Sequence, residues 1–163
     1  QNGPSDGVSV KKEHVTMLFQ RVNRSDAERV FVVVQNVTGA AVVAGDALTL
    51  DHVTTVDGVR AIKPTTANLN LVGLATSAIA DSGYGLAQAY GYCSFASVIP
   101  DVTTAQAAGI TLMPSNASHN LGGIAAKTAV STGADTSQVT LLTTVATATT
   151  PARVDGKVFL RLL

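Results

Sequence analysis

The sequence predicts an all-β protein: a β-barrel or β-sandwich of many short antiparallel strands, with an N-terminal arm or short helix. Three observations predict it. Val30-Phe31-Val32-Val33-Val34 is a β-branched and aromatic run ending at Gln35-Asn36, as a central strand does. Asp57-Gly58 separates two apolar stretches and supplies the positive φ angles of a two-residue hairpin turn. From Arg29 to the C-terminus, short apolar runs alternate with Gly, Asp and Pro, the punctuation of an all-β architecture.

Taken in order, residues 1–28 read as an arm or short helix and residues 29–163 as the β domain. Gly3, Pro4, Ser5, Asp6 and Gly7 mark an exposed tail. Val15, Leu18, Phe19 and Val22 recur at the spacing of one helical face, though so short a run also passes as a strand. Ala40–Val43 and Ala47–Leu50 flank a turn at Gly45-Asp46. His52–Val56 and Val59–Lys63 flank the hairpin at Asp57-Gly58. Leu69–Thr76 is a strand with a bulge expected at Gly73.

In Leu86–Phe95 the neighbouring even positions hold Tyr84, Leu86, Gln88, Tyr90 and Tyr92. The odd ones hold Gly85, Ala87, Ala89, Gly91 and Cys93. A strand sends these sets to opposite faces, one bulky and one open to close approach. Ile110–Met113, Ile124–Val130, Val139–Val145 and Val158–Leu162 complete the strands, with Pro64, Pro100, Pro114 and Pro151 between them. Two short echoes, Ala44-Gly45 then Leu48 with Ala108-Gly109 then Leu112, and Val56-Asp57-Gly58 with Val154-Asp155-Gly156, are of a length that coincidence explains.

Composition narrows function. Of 163 residues, 46% are hydrophobic and 13% charged, the latter roughly half the usual share. Lys plus Arg equals Asp plus Glu at 11 each, so no electrostatic case exists for nucleic acid or an anionic membrane. No apolar run approaches the roughly 18 residues of a transmembrane helix. Lys11, Lys12, Arg21, Arg24 and Arg29 crowd the N-terminus, whereas Gly83–Ala126 holds a single charge, Asp101. A neutral, charge-poor chain is most soluble when partners cover much of its surface.

Candidate chemistry is sparse, and the chain is expected to be neither an enzyme nor a cofactor protein. Asp81-Ser82-Gly83 matches the triplet that dimeric aspartic proteases contribute once per subunit, where two carboxylates share a proton. That pattern wants a small residue next, and Tyr84 follows; the triplet is also ordinary turn chemistry. His14, His52 and His119 lack metal-ligand spacing. Cys93, the single cysteine, reads as a small buried hydrophobe. Asn23, Asn36 and Asn116 open N-x-S/T triplets that arise readily in a Ser/Thr-rich chain.

The succession Val30–Asn36, Ala44–Leu48, Asp57-Gly58, Val72–Ala75, Ile79–Tyr92 and Lys157–Arg161 resembles that of small structural proteins of tailed bacteriophages. The likeness is to head-decoration (cement) proteins with a β-barrel fold, and it spans most of residues 29–163. It implies a virion protein on the outer surface of the phage head. Its partners would be the major capsid protein and copies of itself, a trimer being favoured. A tail, baseplate or adhesion component would share these features. On this reading Lys11, Lys12, Arg21 and Arg24 pair with capsid carboxylates while Val15, Leu18, Phe19 and Val22 are buried against the neighbour. The alternative is that the segment packs on its own domain as an edge strand or covering helix.

Overall fold

The computed structural model describes residues 19–23, 28–54, 57–65, 70–115, 118–123, 139–150 and 152–162. They form ten strands and, among the described residues, no helix. In chain order these are β1 (Phe19–Asn23), β2 (Glu28–Asn36), β3 (Ala47–Leu50), β4 (Arg60–Ile62) and β5 (Leu71–Ala75). There follow β6 (Tyr84–Ile99), β7 (Thr111–Pro114), β8 (Leu121–Gly123), β9 (Val139–Leu141) and β10 (Val154–Arg161). The all-β expectation holds.

β6, sixteen residues long, organises the rest. Its first half pairs with β2 and β5, its second with β10 and β8. From β2, the pairings run through β4, β3 and β5 to β6 and back to β2. From the second half of β6 they run through β10, β9, β7 and β8 and return to β6. The ten-stranded mixed sheet therefore closes on itself twice, as two five-stranded rings sharing one strand. It is neither a single barrel nor a pair of stacked sheets.

The rings repeat one pattern of strand pairing and backbone hydrogen bonds. In both, the first and third strands make the single parallel pairing, β2 with β4 and β6 with β8. Val42 and Ile79 exchange two backbone hydrogen bonds; so do Gln106 and Val145. Gly45 N–H donates to Ala75 C=O at 2.8 Å, and Gly109 N–H to Leu141 C=O at 2.7 Å. Ala75 N–H donates to Asp46 C=O as Leu141 N–H does to Ile110 C=O, both at 2.9 Å. The echo of Ala44-Gly45…Leu48 in Ala108-Gly109…Leu112 is thus one stretch occurring in both rings, not coincidence. The Val-Asp-Gly echo is coincidence: Asp57-Gly58 lies between β3 and β4, whereas Val154–Gly156 opens β10.

The cores correspond as well. Val34, Leu48, Ala61, Ala75, Ile79 and Ala87 are buried in the first ring. Their counterparts Ala96, Leu112, Leu121, Leu141, Val145 and Val158 are buried in the second. Leucines at 121 and 141 stand where the first ring has alanines, so the second core takes in more apolar volume. Each such side chain, fully buried, contributes about 1.5–3 kcal/mol. β10 shows why the strands form: Gly156, Val158 and Leu160 face in, while Asp155, Lys157 and Arg161 alternate outward.

Several local expectations shift. Phe19–Asn23 is a strand, registered antiparallel on β2 from Phe19↔Val32 to Asn23↔Glu28, so the helix reading fails there. An apolar spacing that fits both periods was resolved by a long β2 with an edge to cover. Residues 1–18 and 24–27, with Lys11, Lys12, Val15, Leu18 and Arg24, lie outside the described residues. Asp57-Gly58 does not join two strands directly. Leu50 pairs with Ala61, and a longer connection separates them. Asp51 Oδ1 accepts the N–H groups of Val53 and Thr54, and Asp57 Oδ1 those of Val59 and Arg60. Side-chain acceptors thereby take donors that a tight hairpin would give to the ladder.

Ala40–Val43 makes only the Val42 bridge. The β5 bulge falls at Val72, beside Gly73, since Leu48↔Gly73 is followed by Thr49↔Leu71. Ile124–Val130 lies outside the described residues, and Leu121–Gly123 supplies the strand nearby.

Candidate functional site

The densest polar arrangement lies where the rings meet, on the turn between β2 and β3. Gly45, at φ +86°, has no room for a side chain, because a Cβ there would overlap the Phe95 carbonyl oxygen of β6. Its C=O accepts the Ser97 N–H at 3.0 Å, and the Ala47 N–H donates to His119 C=O at 2.7 Å. The His119 ring donates from Nδ1 to Ala47 C=O at 3.0 Å. Beside it, Ser97 Oγ is joined to Asn120 Oδ1, and Asn120 Nδ2 donates to Ser118 Oγ at 2.6 Å. Asp46, almost fully buried, meets Arg153 Nη1 at 3.0 Å through Oδ1 and accepts the Val43 N–H at 2.9 Å through Oδ2. Arg153 also donates to Ala44 C=O. A turn of the first ring is thereby clasped by β6, the β8 approach and the residue leading into β10.

A second polar centre sits at the far end of the first ring. Asn36 is fully buried, and its Nδ2 donates to the carbonyls of Ala40, Ile79 and Ala80 at 2.8, 3.0 and 3.2 Å. Its Oδ1 accepts the Thr38 N–H at 3.0 Å. Asp81-Ser82-Gly83 is the adjoining turn. Ser82, at φ +61°, donates its N–H to Asn36 C=O at 2.7 Å, and Asp81 Oδ1 accepts the Gly39 N–H at 3.0 Å. The triplet therefore holds two connections together through its backbone and its carboxylate.

The small face of β6 is the buried one: Ala87, Ala89 and Cys93 are almost inaccessible. Close approach occurs as the residue sizes predict, with Ile79 packed on Gly85 and the Glu28 carbonyl against Gly91. Gln88 departs from the pattern; it is buried, and its Nε2 donates to the carbonyls of Tyr90 and Tyr92 at 3.1 and 3.0 Å. Burial pushes the Cys93 thiol pKa up, against a smaller opposing effect of its hydrogen bond with the Phe95 backbone. A thiol reagent at neutral pH is accordingly expected to label Cys93 only as the chain unfolds. Fast labelling of folded protein would contradict this burial.

His52 is exposed on the β3–β4 connection and His119 sits at the ring junction. Among the described residues no three His, Cys, Asp or Glu side chains gather as a metal site. Of the residues expected to bind a partner, Phe19, Arg21 and Val22 lie in β1. Asn36, Asp46, Arg153 and His119 were not singled out from sequence as a group, since each depends on a contact distant in the chain. The repeated Ala-Gly-x-x-Leu was the signal pointing to the junction. Comparisons with protein-family models, curated proteins and solved structures find no match.

Proposed function

We propose that this chain is a head-decoration protein of a tailed bacteriophage, bound to the outer surface of the major capsid lattice and stabilising it. The order of strand and turn segments from Val30 to Arg161 carries the reading, through its resemblance to that group. The surface supports it: Val53, Tyr84, Val102 and Val43 are 77, 67, 54 and 46% exposed on a charge-poor chain, as suits a protein covered by partners. A protein that binds only the assembled lattice stabilises it by mass action, about 2.7 kcal/mol per site at a free concentration 100-fold above Kd.

Heads depleted of the protein are expected to break at a lower temperature than decorated heads, and adding the chain back is expected to restore the difference. Equal melting of bare and decorated heads would count against decoration. The capsid contact is proposed to involve Lys11, Lys12, Val15, Leu18 and Arg24. Because β1 belongs to the sheet, the informative truncation removes residues 1–18 and keeps Phe19–Asn23. That truncated chain should stay folded and fail to restore the heads.

A further inference from the structure

The two rings carry the same turn, and among the described residues only one of the two is covered. Gly109 has the φ of Gly45, +90° against +86°, and the same N–H bond to the strand opposite. Yet Ala107, Ala108 and Gly109 are exposed, and a Cβ on Gly109 would meet nothing within 4 Å. The Gly109 C=O, counterpart of the carbonyl that takes the Ser97 N–H, accepts no bond among the described residues. Gln106, in the same turn and 6% exposed, donates from Nε2 to Ile99 C=O at 3.0 Å, but its buried Oε1 has no partner. Its counterpart Val42 needs none. The second turn thus presents one exposed backbone acceptor without a donor, the Gly109 C=O, with small side chains around it.

Among the described residues one strand edge is left unpaired. Among the described residues β1 alone has a single partner strand. β6 spans Val30–Gln35 of β2, so β1 and β4 share the other edge of β2. The N–H groups of Gln35 and Val37 face β4, donating to Val59 and Ala61. Alternation then turns those of Arg29 and Phe31 toward β1, opposite Val22 and Gln20. The N–H groups of Phe19, Arg21 and Asn23 consequently face outward as donors. Two such edges pair poorly with each other, because antiparallel pairing about the centre of β1 sets Arg21 opposite Arg21. The loop holding the Gly109 turn offers only Asp101 as a charge, opposite in sign to Arg21.

We propose that the Gly109 turn of one copy receives the outer edge of β1 of a second copy. This head-to-tail contact would repeat between chains what the Gly45 turn and β6 make within one. It does not depend on the capsid reading and is tested on the purified full chain. Chains carrying Ala108→Cys and Arg21→Cys, mixed and oxidised, are expected to cross-link to each other about tenfold or more faster than either does to itself. Cys93 stays silent because it is buried. Equal rates, or no cross-link, would overturn the proposal. Independently, the wild-type chain is expected to sediment as an oligomer at high concentration, and Ala108→Arg, with unchanged melting, as a monomer. A monomeric wild type, or a variant that still associates, would also overturn it.

Discussion

Replacing Gly45 by alanine is expected to destabilise the protein by about 3–5 kcal/mol, whereas the same change at Gly109 costs only about 1–2 kcal/mol. Both glycines share a left-handed backbone, so both variants bear the strain of a side chain at positive φ. Only Gly45 adds an overlap with a backbone carbonyl, Phe95 C=O, that belongs to the long shared strand and has nowhere to move. That approach also sets the Gly45–Ser97 hydrogen bond and lets Asp46 reach Arg153. Thermal or denaturant unfolding of the two variants checks this. Each kcal/mol corresponds to about 2–4 °C in Tm for a chain of this size. Equal losses at the two positions would mean that the rings do not meet through this turn.

The second large effect is expected at Asn36. Asn36→Leu removes, at a fully buried site, an amide whose two N–H hydrogens are shared among three carbonyls and whose oxygen accepts the Thr38 N–H; at about 1 kcal/mol per hydrogen bond, plus the donor left unanswered, the loss is about 3–5 kcal/mol. The three carbonyls keep other donors: Ala40 has the Thr38 hydroxyl, Ile79 the Val42 N–H and Ala80 the Gly83 N–H. The Thr38 N–H keeps nothing, and an unanswered donor adds to the cost. Asn36→Asp should be worse at neutral pH, because a carboxylate would face three carbonyl oxygens. Burial among acceptors raises the folded-state pKa of such an acid. The folded form then binds the proton more tightly than the unfolded one, and stability falls as pH rises through the titration. Denaturant midpoints of Asn36→Asp at acid and neutral pH read this directly; a midpoint that rose with pH would contradict the geometry. The second ring has Val98 at the corresponding place, so Val98→Ala should behave as an ordinary core truncation with no dependence on pH.

What the sequence determined by itself was local. The β-branched run of β2, the inward Val158 and Leu160 of β10, the small face of β6 and the Gly45-Asp46 turn follow from side-chain alternation and from which residues tolerate positive φ. Those are properties of a few consecutive residues. The Ala-Gly-x-x-Leu repeat was visible too, but three matched positions cannot distinguish duplication from chance. Tertiary structure supplied the distinction through equivalent hydrogen bonds at Gly45 and Gly109.

Tertiary structure also decided that Phe19–Asn23 extends rather than coils, because a spacing compatible with both periods yields to the edge of β2. It set Leu50 opposite Ala61, so that Asp57-Gly58 lies within a longer connection, where the Asp51 and Asp57 carboxylates accept the N–H groups two and three residues on. Above all it decided the double closure on β6 and the clasp of Asp46 by Arg153. Both join residues far apart in the chain, and their geometry depends on strand register and on which surfaces are buried together, information no short window of residues contains.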